Sequence, residues 1–394
     1  MTTSYKILGQ TAPSAATETP NYVVPSDKSS LVKSINITNT SGTADTYSIS
    51  LAPTSPRFVA ARVDSTSAAY STNGITWTAT TLPHNSSWYS IAFGNNLFVA
   101  LANNSATGAA SSTDGITWSV RTLPTNEGWQ IVTYGNGVFV AISNLSTSAT
   151  TSTNGITWTL RTLPSAETWR GLTFGNKTFV AVANYTTTAA SSTDGITWIK
   201  RTLPTSNGAS GLTFGNNIFV AMSYFETSAA TSTDGITWRL RKLPDNGGWQ
   251  SVAFGNGTFF APNSQANSAS GIYSTDAITW TEITMPIGKY WYAVTYGNGL
   301  FVAVTAQSVT AAATSTNGIT WTLRTLPTSG NYRSVAYGAL SSSNTSTYIA
   351  YNTSIPGNST VTIKAGYALE SGNTIRVTST NGTSTFSTFG AEIS

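Results

Sequence analysis

The chain has 394 residues, enough for more than one ordinary domain, with 40% apolar residues and a formal net charge of +4. Only 9% are charged, far below the usual quarter or so. Ser, Thr, Asn and Gly supply the polar surface instead, which suggests an exposed, β-rich extracellular or virion protein more than a cytosolic enzyme.

The absence of cysteine excludes disulfides and thiolate metal sites. Lys and Arg form no runs, so a nucleic-acid footprint is not supported. No apolar stretch is long enough to cross a membrane. The opening Met1-Thr-Thr-Ser-Tyr-Lys lacks the apolar core of a secretory signal, so release by cell lysis is expected rather than secretion.

Residues 1–55 carry short alternating runs separated by Pro, Asn, Ser and Gly. These are Tyr5-Lys-Ile-Leu8, Tyr22-Val-Val24, Leu31 to Ile37 and Tyr47-Ser-Ile-Ser-Leu51. Alternation of this kind predicts strands rather than helices.

From Phe58 a repeat takes over. Its most regular element is Ser112-Thr-Asp-Gly-Ile-Thr-Trp118, which recurs seven times with small changes. The repeat tryptophans are Trp77, Trp118, Trp158, Trp198, Trp238, Trp280 and Trp321, with spacings of 41, 40, 40, 40, 42 and 41 residues. A period near 40 marks a repeat architecture.

One unit runs from Trp129 to Pro164. It reads Trp129 to Tyr134, the turn Gly135-Asn-Gly137, Val138 to Ile142, a variable loop, Ser148 to Thr153, the turn Asn154-Gly155, and Ile156 to Pro164. These are four strand-like runs joined by Asn-Gly or Asp-Gly pairs, for which type I′ hairpins are expected. Four strands per unit in a radial array predict a β-propeller blade.

The ends of the repeat predict how the ring closes. The first unit lacks a Trp-x-x-Val-x-Tyr-Gly strand, and a spare one, Tyr332 to Gly338, follows the last unit. Seven blades then close with residues 332–338 beside Phe58, which removes a free sheet edge.

Residues 341–394 again lack the repeat and read as strands at Tyr348 to Tyr351, Thr360 to Ile363, Thr374 to Val377 and Thr385 to Phe389. Neither flank alone is long enough for a comfortable core. Together they have the size of one β-sandwich. The expected fold is therefore all-β: a seven-bladed propeller, residues 56–340, inserted in a loop of a sandwich split between 1–55 and 341–394.

Two resemblances add to this reading. The Ser-x-Asp-Gly-Ile-Thr-Trp hairpin resembles the Asp-box of sialidase-type propellers, one residue shorter between Asp and Gly. The flanks resemble small virion proteins of tailed phages, of a cyanophage-like kind. The match rests on Ser4-Tyr-Lys-Ile-Leu-Gly-Gln-Thr-Ala-Pro13, Tyr22-Val-Val-Pro-Ser26, Ile35-Asn-Ile-Thr-Asn39, Tyr348-Ile-Ala-Tyr-Asn352, Gly366 to Val377, and Phe386 to Ile393. This resemblance implies a structural virion protein on the particle surface. It would contact other virion proteins through the sandwich, would be a homo-oligomer in the particle, and would need no cofactor. Adhesion to a host-surface glycan or protein is the leading expectation. Decoration of a capsid or tail is the alternative.

Candidate chemistry is sparse. Asp114, Asp194, Asp234 and Asp276 alternate with Asn73, Asn154 and Asn317 at one turn position. Both types suit a tight turn, and Asn cannot be a catalytic acid. No Arg-Ile-Pro motif of the sialidases occurs, and Arg121, Arg161, Arg201, Arg241 and Arg324 are spread by the repeat rather than gathered. His84 is the only histidine and lies in a loop-type stretch. Glu127, Glu167 and Glu226 are the carboxylates a glycosidase would need to recruit, and no pair is recognisable. No enzyme activity is expected.

Five further tryptophans open a strand: Trp88, Trp129, Trp169, Trp249 and Trp291, with Ala209 and Tyr332 at the equivalent place. Such regularity argues for packing between blades. The variable loops all fall on one face, opposite the tight turns. They carry Asn104, Asn144, Tyr185, Tyr224, Phe225, Glu226 and Gln265 in one set, and His84, Asn85, Glu127, Glu167, Asp245, Asn246, Lys289 and Tyr290 in the other. A scaffold whose variation is confined to one face is built like a recognition surface. Binding candidates are therefore Tyr185, Tyr224, Phe225, Tyr290, Asn104 and Asn144.

Overall fold

A computed structural model describes residues 6–11, 19–23, 29–52, 54–103, 108–205, 209–307, 309–341, 347–369, 374–379, 381 and 384–393. The chain divides into two compact units, Met1–Ser55 with Ala339–Ser394, and Pro56–Gly338.

The first unit holds two four-stranded sheets. One runs in the order Lys6–Thr11, Ser384–Ile393, Ser29–Asn39, Ser359–Leu369. The other runs Thr19–Val23, Thr374–Ser379, Asp45–Ala52, Thr347–Ile355. In both, strands from the start of the chain alternate with strands from its end. No two strands of the same half are neighbours, so neither half can form a sheet by itself. One apolar cluster takes side chains from both sheets, including Ile35, Ile37 and Phe386 from the first and Ile49, Ile375 and Val377 from the second.

Asp45 is buried at the edge of this cluster. Burial pushes its carboxyl up. Hydrogen bonds from the Ser379 and Ser384 hydroxyls and the Asn381 and Thr46 amides more than offset this and hold it at about 2.

The second unit contains seven four-stranded antiparallel sheets. We number these blades in chain order from the one containing Phe58. Blade 1 is composite: its inner strand, Tyr332–Ser341, comes from the end of the repeat and lies beside Thr54–Arg62. In the other six, four consecutive strands run from the axis outward, beginning at Trp88, Trp129, Trp169, Gly211, Ala253 and Trp291.

A glycine at the end of each inner strand joins one blade to the next. A Cβ there would lie 1.9–2.4 Å from an aromatic ring of the following blade. The pairs are Gly94 with Tyr134, Gly135 with Phe174, Gly175 with Phe214, Gly215 with Phe254, Gly255 with Tyr296, Gly297 with Tyr337, and Gly338 with Phe93. The last two run from blade 7 to blade 1 and from blade 1 to blade 2, so the ring is closed. The strand-opening aromatics fill the space between blades. Trp88, Trp129, Trp169, Trp249, Trp291 and Tyr332 are all fully buried.

The two kinds of tight turn differ from each other. At Gly135-Asn-Gly137 both central residues have positive φ, 49° for Asn136 and 77° for Gly137, as a type I′ turn requires. At Asp114-Gly115 only the glycine does, with φ 70°. The Asp-box turn is therefore not type I′. The acidic or amide side chain organises it instead: Asp114 Oδ1 accepts from the amides of Ile116 and Thr117, each at 2.8 Å.

Gly135→Ala is expected to force the Phe174 ring out of place and cost about 1–3 kcal/mol, the range for overpacking. Urea unfolding with an unchanged m-value checks it. Asp45 is predicted to add about 2 kcal/mol at neutral pH, from a carboxyl lowered from 3.8 to about 2. That contribution is complete above the unfolded value and disappears as pH falls through about 2. Stability measured between pH 5 and 2 should therefore fall less steeply in Asp45→Asn than in the parent.

Candidate functional site

The inner strands enter from the variable-loop face, because each follows the loop after an outer strand. The residue next to each strand-opening position therefore stands at the loop-side mouth of the axis. These residues are Tyr89, Gln130, Arg170, Ser210, Gln250, Tyr292 and Arg333, and all seven line one axial cavity of about 360 Å³. Further in, the wall is largely aliphatic, with Ile91, Val132, Leu212, Val252, Val294 and Val335.

A side recess of about 180 Å³ is lined by Arg170, Ser210, Gln250, Tyr292 and Arg333 from this column. The loop residues Asn184, Tyr185, Tyr224 and Tyr290 complete it.

The mouth is organised by aromatic and polar contacts. The Arg333 guanidinium sits 5.2 Å from the Tyr89 ring centre and 5.1 Å from that of Tyr292. Its Nη1 donates to the Tyr89 hydroxyl at 2.8 Å. Tyr292 stacks on Tyr290 with centroids 5.9 Å apart and planes at 22°. The Tyr290 hydroxyl accepts from Gln250 Nε2 at 2.9 Å, and Gln130 Oε1 accepts from Asn103 Nδ2 at 3.1 Å.

Burial pushes the Tyr224 hydroxyl well above its ordinary value, helped by its bond to Tyr290 and by the neighbouring Tyr185 and Tyr292. Burial also raises the Tyr292 hydroxyl, against the opposing fields of Arg333 and Arg170. Tyr224 and Tyr292 thus act as neutral hydrogen-bonding groups at physiological pH.

The binding candidates separate in space. Tyr185, Tyr224 and Tyr290 converge on the side recess. Tyr185 is 68% exposed and held at φ 59°. Asn144 belongs to the blade 3 loop, where its amide donates to the Gly128 carbonyl at 2.8 Å, and it lines neither the cavity nor the recess. Asn104 and the Phe225 side chain lie outside the described residues.

The other sequence candidates have local partners. Glu127 accepts from the Ser148 hydroxyl at 2.6 Å, and Glu167 from the Thr188 hydroxyl at 3.0 Å. Both pin loops to strands. His84 packs against Trp88, with ring centres 4.9 Å apart, and is absent from the cavity wall. Arg121, Arg161, Arg201, Arg241 and Arg324 each donate Nε to a Ser or Thr hydroxyl on the neighbouring strand, at 2.8–3.1 Å.

The Asp-box positions serve the turns. Asn73, Asn154 and Asn317 accept the same two amides through Oδ1 at 2.9–3.0 Å. Five of the repeat tryptophans, Trp77, Trp118, Trp198, Trp238 and Trp280, are buried, and Trp158 and Trp321 are half-buried against the blades.

The column of seven around the axis was not among the sequence candidates. Its signal is a position that varies in size and charge between a near-constant aromatic and an aliphatic run. Arg170 and Arg333 occupy it, and they do not share the register of the five regularly spaced arginines.

No protein-family model matches the chain, and no curated protein matches its sequence. In fold it is similar to several solved propellers. A streptogramin B lyase is 16% identical, covering 63% of this chain and 86% of that one, with TM-score 0.56. Virginiamycin B lyase from Staphylococcus aureus is 14% identical, covering 74% and 94%, with TM-score 0.56. YCF48 bound to D1 peptide is 16% identical, covering 66% and 93%, with TM-score 0.51. At these identities the likeness establishes the β-propeller fold and nothing further.

Asp114→Asn should change stability by less than about 0.5 kcal/mol, because three blades already use Asn in the same geometry. Asp114→Ala leaves two amides and the Ser112 hydroxyl without their acceptor and should cost about 1–2 kcal/mol. Thermal unfolding of the two variants side by side distinguishes a turn role from any other.

Proposed function

We propose that this is a recognition protein of a phage particle, whose propeller presents a carbohydrate-binding mouth on its variable-loop face. One observation carries this reading. Tyr185, Tyr224, Tyr290 and Tyr292 come from three different blades and gather at one recess that opens onto the axial cavity.

A pyranose ring offers apolar C–H faces and a rim of hydroxyls. Tyrosines match both, with a flat π surface and a polar tip, at low entropy cost. Gln130, Ser210, Gln250 and Asn184 around them add neutral donors and acceptors suited to sugar hydroxyls.

The rest of the proposal rests on the flanks. Two sheets sharing one core read as a β-sandwich, and the propeller occupies the loop between Ala52 and Thr347. The phage-like residues of that sandwich support an anchor to other virion proteins, with the propeller displayed outward for adhesion to the host surface. The reading is non-catalytic. Among the described residues, the cavity wall offers neither a carboxylate nor an imidazole to move a proton.

A glycan array and a host-cell adsorption assay with the full chain test the proposal. Binding of saccharides is expected, weakened about tenfold or more in Tyr224→Ala and Tyr290→Ala, a loss of about 1.4 kcal/mol. A folded protein that retains no saccharide and does not adsorb to cells defeats the reading.

A further inference from the structure

We infer that the saccharide taken at this mouth is anionic, its negative group seated in the axial cavity against Arg333 and Arg170. The inference rests on the recognition reading above and deepens it by naming the ligand class.

Two guanidinium groups line the cavity, and among the described residues no Asp or Glu lines it or the side recess. Cations so placed are ordinarily matched by a carboxylate, because an unpaired charge away from bulk water is costly. Arg333 is half-buried and fixed in position by the Tyr89 and Tyr292 rings on either side. One of its donors is used on the Tyr89 hydroxyl, and its buried Nε has no partner. Arg170 has no hydrogen-bond partner among the described residues, yet its field reaches Tyr292.

Position supports the same reading. Arg170 is in blade 4 and Arg333 in blade 1, so the two stand on different sides of the ring, each at the same depth. The aliphatic wall below them gives an anion no reason to go further in. The tyrosines of the recess would stack a sugar ring beside them. A guanidinium presents parallel N–H groups that match the two oxygens of a carboxylate or sulfate. A uronate carboxylate and a sulfate ester share this chemistry, so either saccharide class satisfies the site.

The experiment uses the full chain and an array pairing uronate-bearing and sulfated oligosaccharides with carboxyl-reduced and desulfated counterparts. Poly-glutamate is included as a non-sugar polyanion. Expected are binding of an acidic member at least tenfold tighter than its neutral counterpart and weakening by salt. A loss of tenfold or more is expected in both Arg333→Gln and Arg170→Gln, with unchanged melting temperatures. Arg333→Lys, which keeps the charge but not the fork, should lie between parent and Arg333→Gln. The arm that binds separates uronate from sulfate.

Equal binding of acidic and neutral partners overturns this inference and leaves the recognition reading standing. Tighter binding of poly-glutamate than of any saccharide overturns it in favour of an acidic peptide. Silence across all arms by a folded protein removes the recognition reading itself. Should Arg333→Gln lower the melting temperature, Arg170→Gln decides the matter, because Arg170 makes no hydrogen bond among the described residues that the change would remove.

Discussion

The ring depends on a missing atom. At the end of every inner strand a glycine lets the aromatic ring of the next blade lie directly on the backbone, closer than any Cβ would allow. The contact is directional: each blade offers its glycine to one neighbour and its ring to the other. Repeated seven times it returns to its start, through Gly297 with Tyr337 and Gly338 with Phe93. Around it the strand-opening aromatics are buried between blades. A closed set leaves no terminal blade with an uncovered face, which open repeat arrays must cap.

Closure by a strand from the far end of the repeat has a second consequence. Blade 1 pairs Thr54–Arg62 with Tyr332–Ser341, strands from opposite ends of the repeat, so the two ends of the propeller leave it as neighbouring strands. A segment whose ends already meet can be inserted in a loop without the entropic cost of a long flexible excursion. The other unit shows the same economy from the opposite side. Its sheets alternate strands from the two halves of the chain, so it is complete only when both are present.

The same regularity creates the site. Seven equivalent positions converge on one axis, and each blade can change its own residue there without disturbing the interlock below. Most of that column is neutral and polar, and two members are arginine. Loop residues from three blades lean over the opening as tyrosines. The wall beneath is largely aliphatic, with serines and threonines between the apolar side chains. Scaffold and variable column are thus separated by depth along the axis, with the glycine interlock at the far end and the column at the near one.

Much of this was legible in the amino-acid order alone. The period near 40, the four strand-like runs in each unit and the spare Tyr332 to Gly338 strand determine a closed ring of seven, because each is a local pattern or a count. The Asp-Gly pair at Asp114-Gly115 predicts a type I′ turn, and the structure differs, because side-chain acceptance by Asp114 replaces the second positive φ. The loop tyrosines Tyr185, Tyr224 and Tyr290 stood out as exposed variable residues. Asn144 stood out equally and falls elsewhere, because sequence places a residue on a face but not at a radius. Arg170 and Arg333 differ in sequence only by standing outside the register of the five regular arginines, which does not say that they meet the axis. Only the tertiary structure makes neighbours of positions some 40 residues apart, since the curvature of the ring decides which side chain of each inner strand meets the axis.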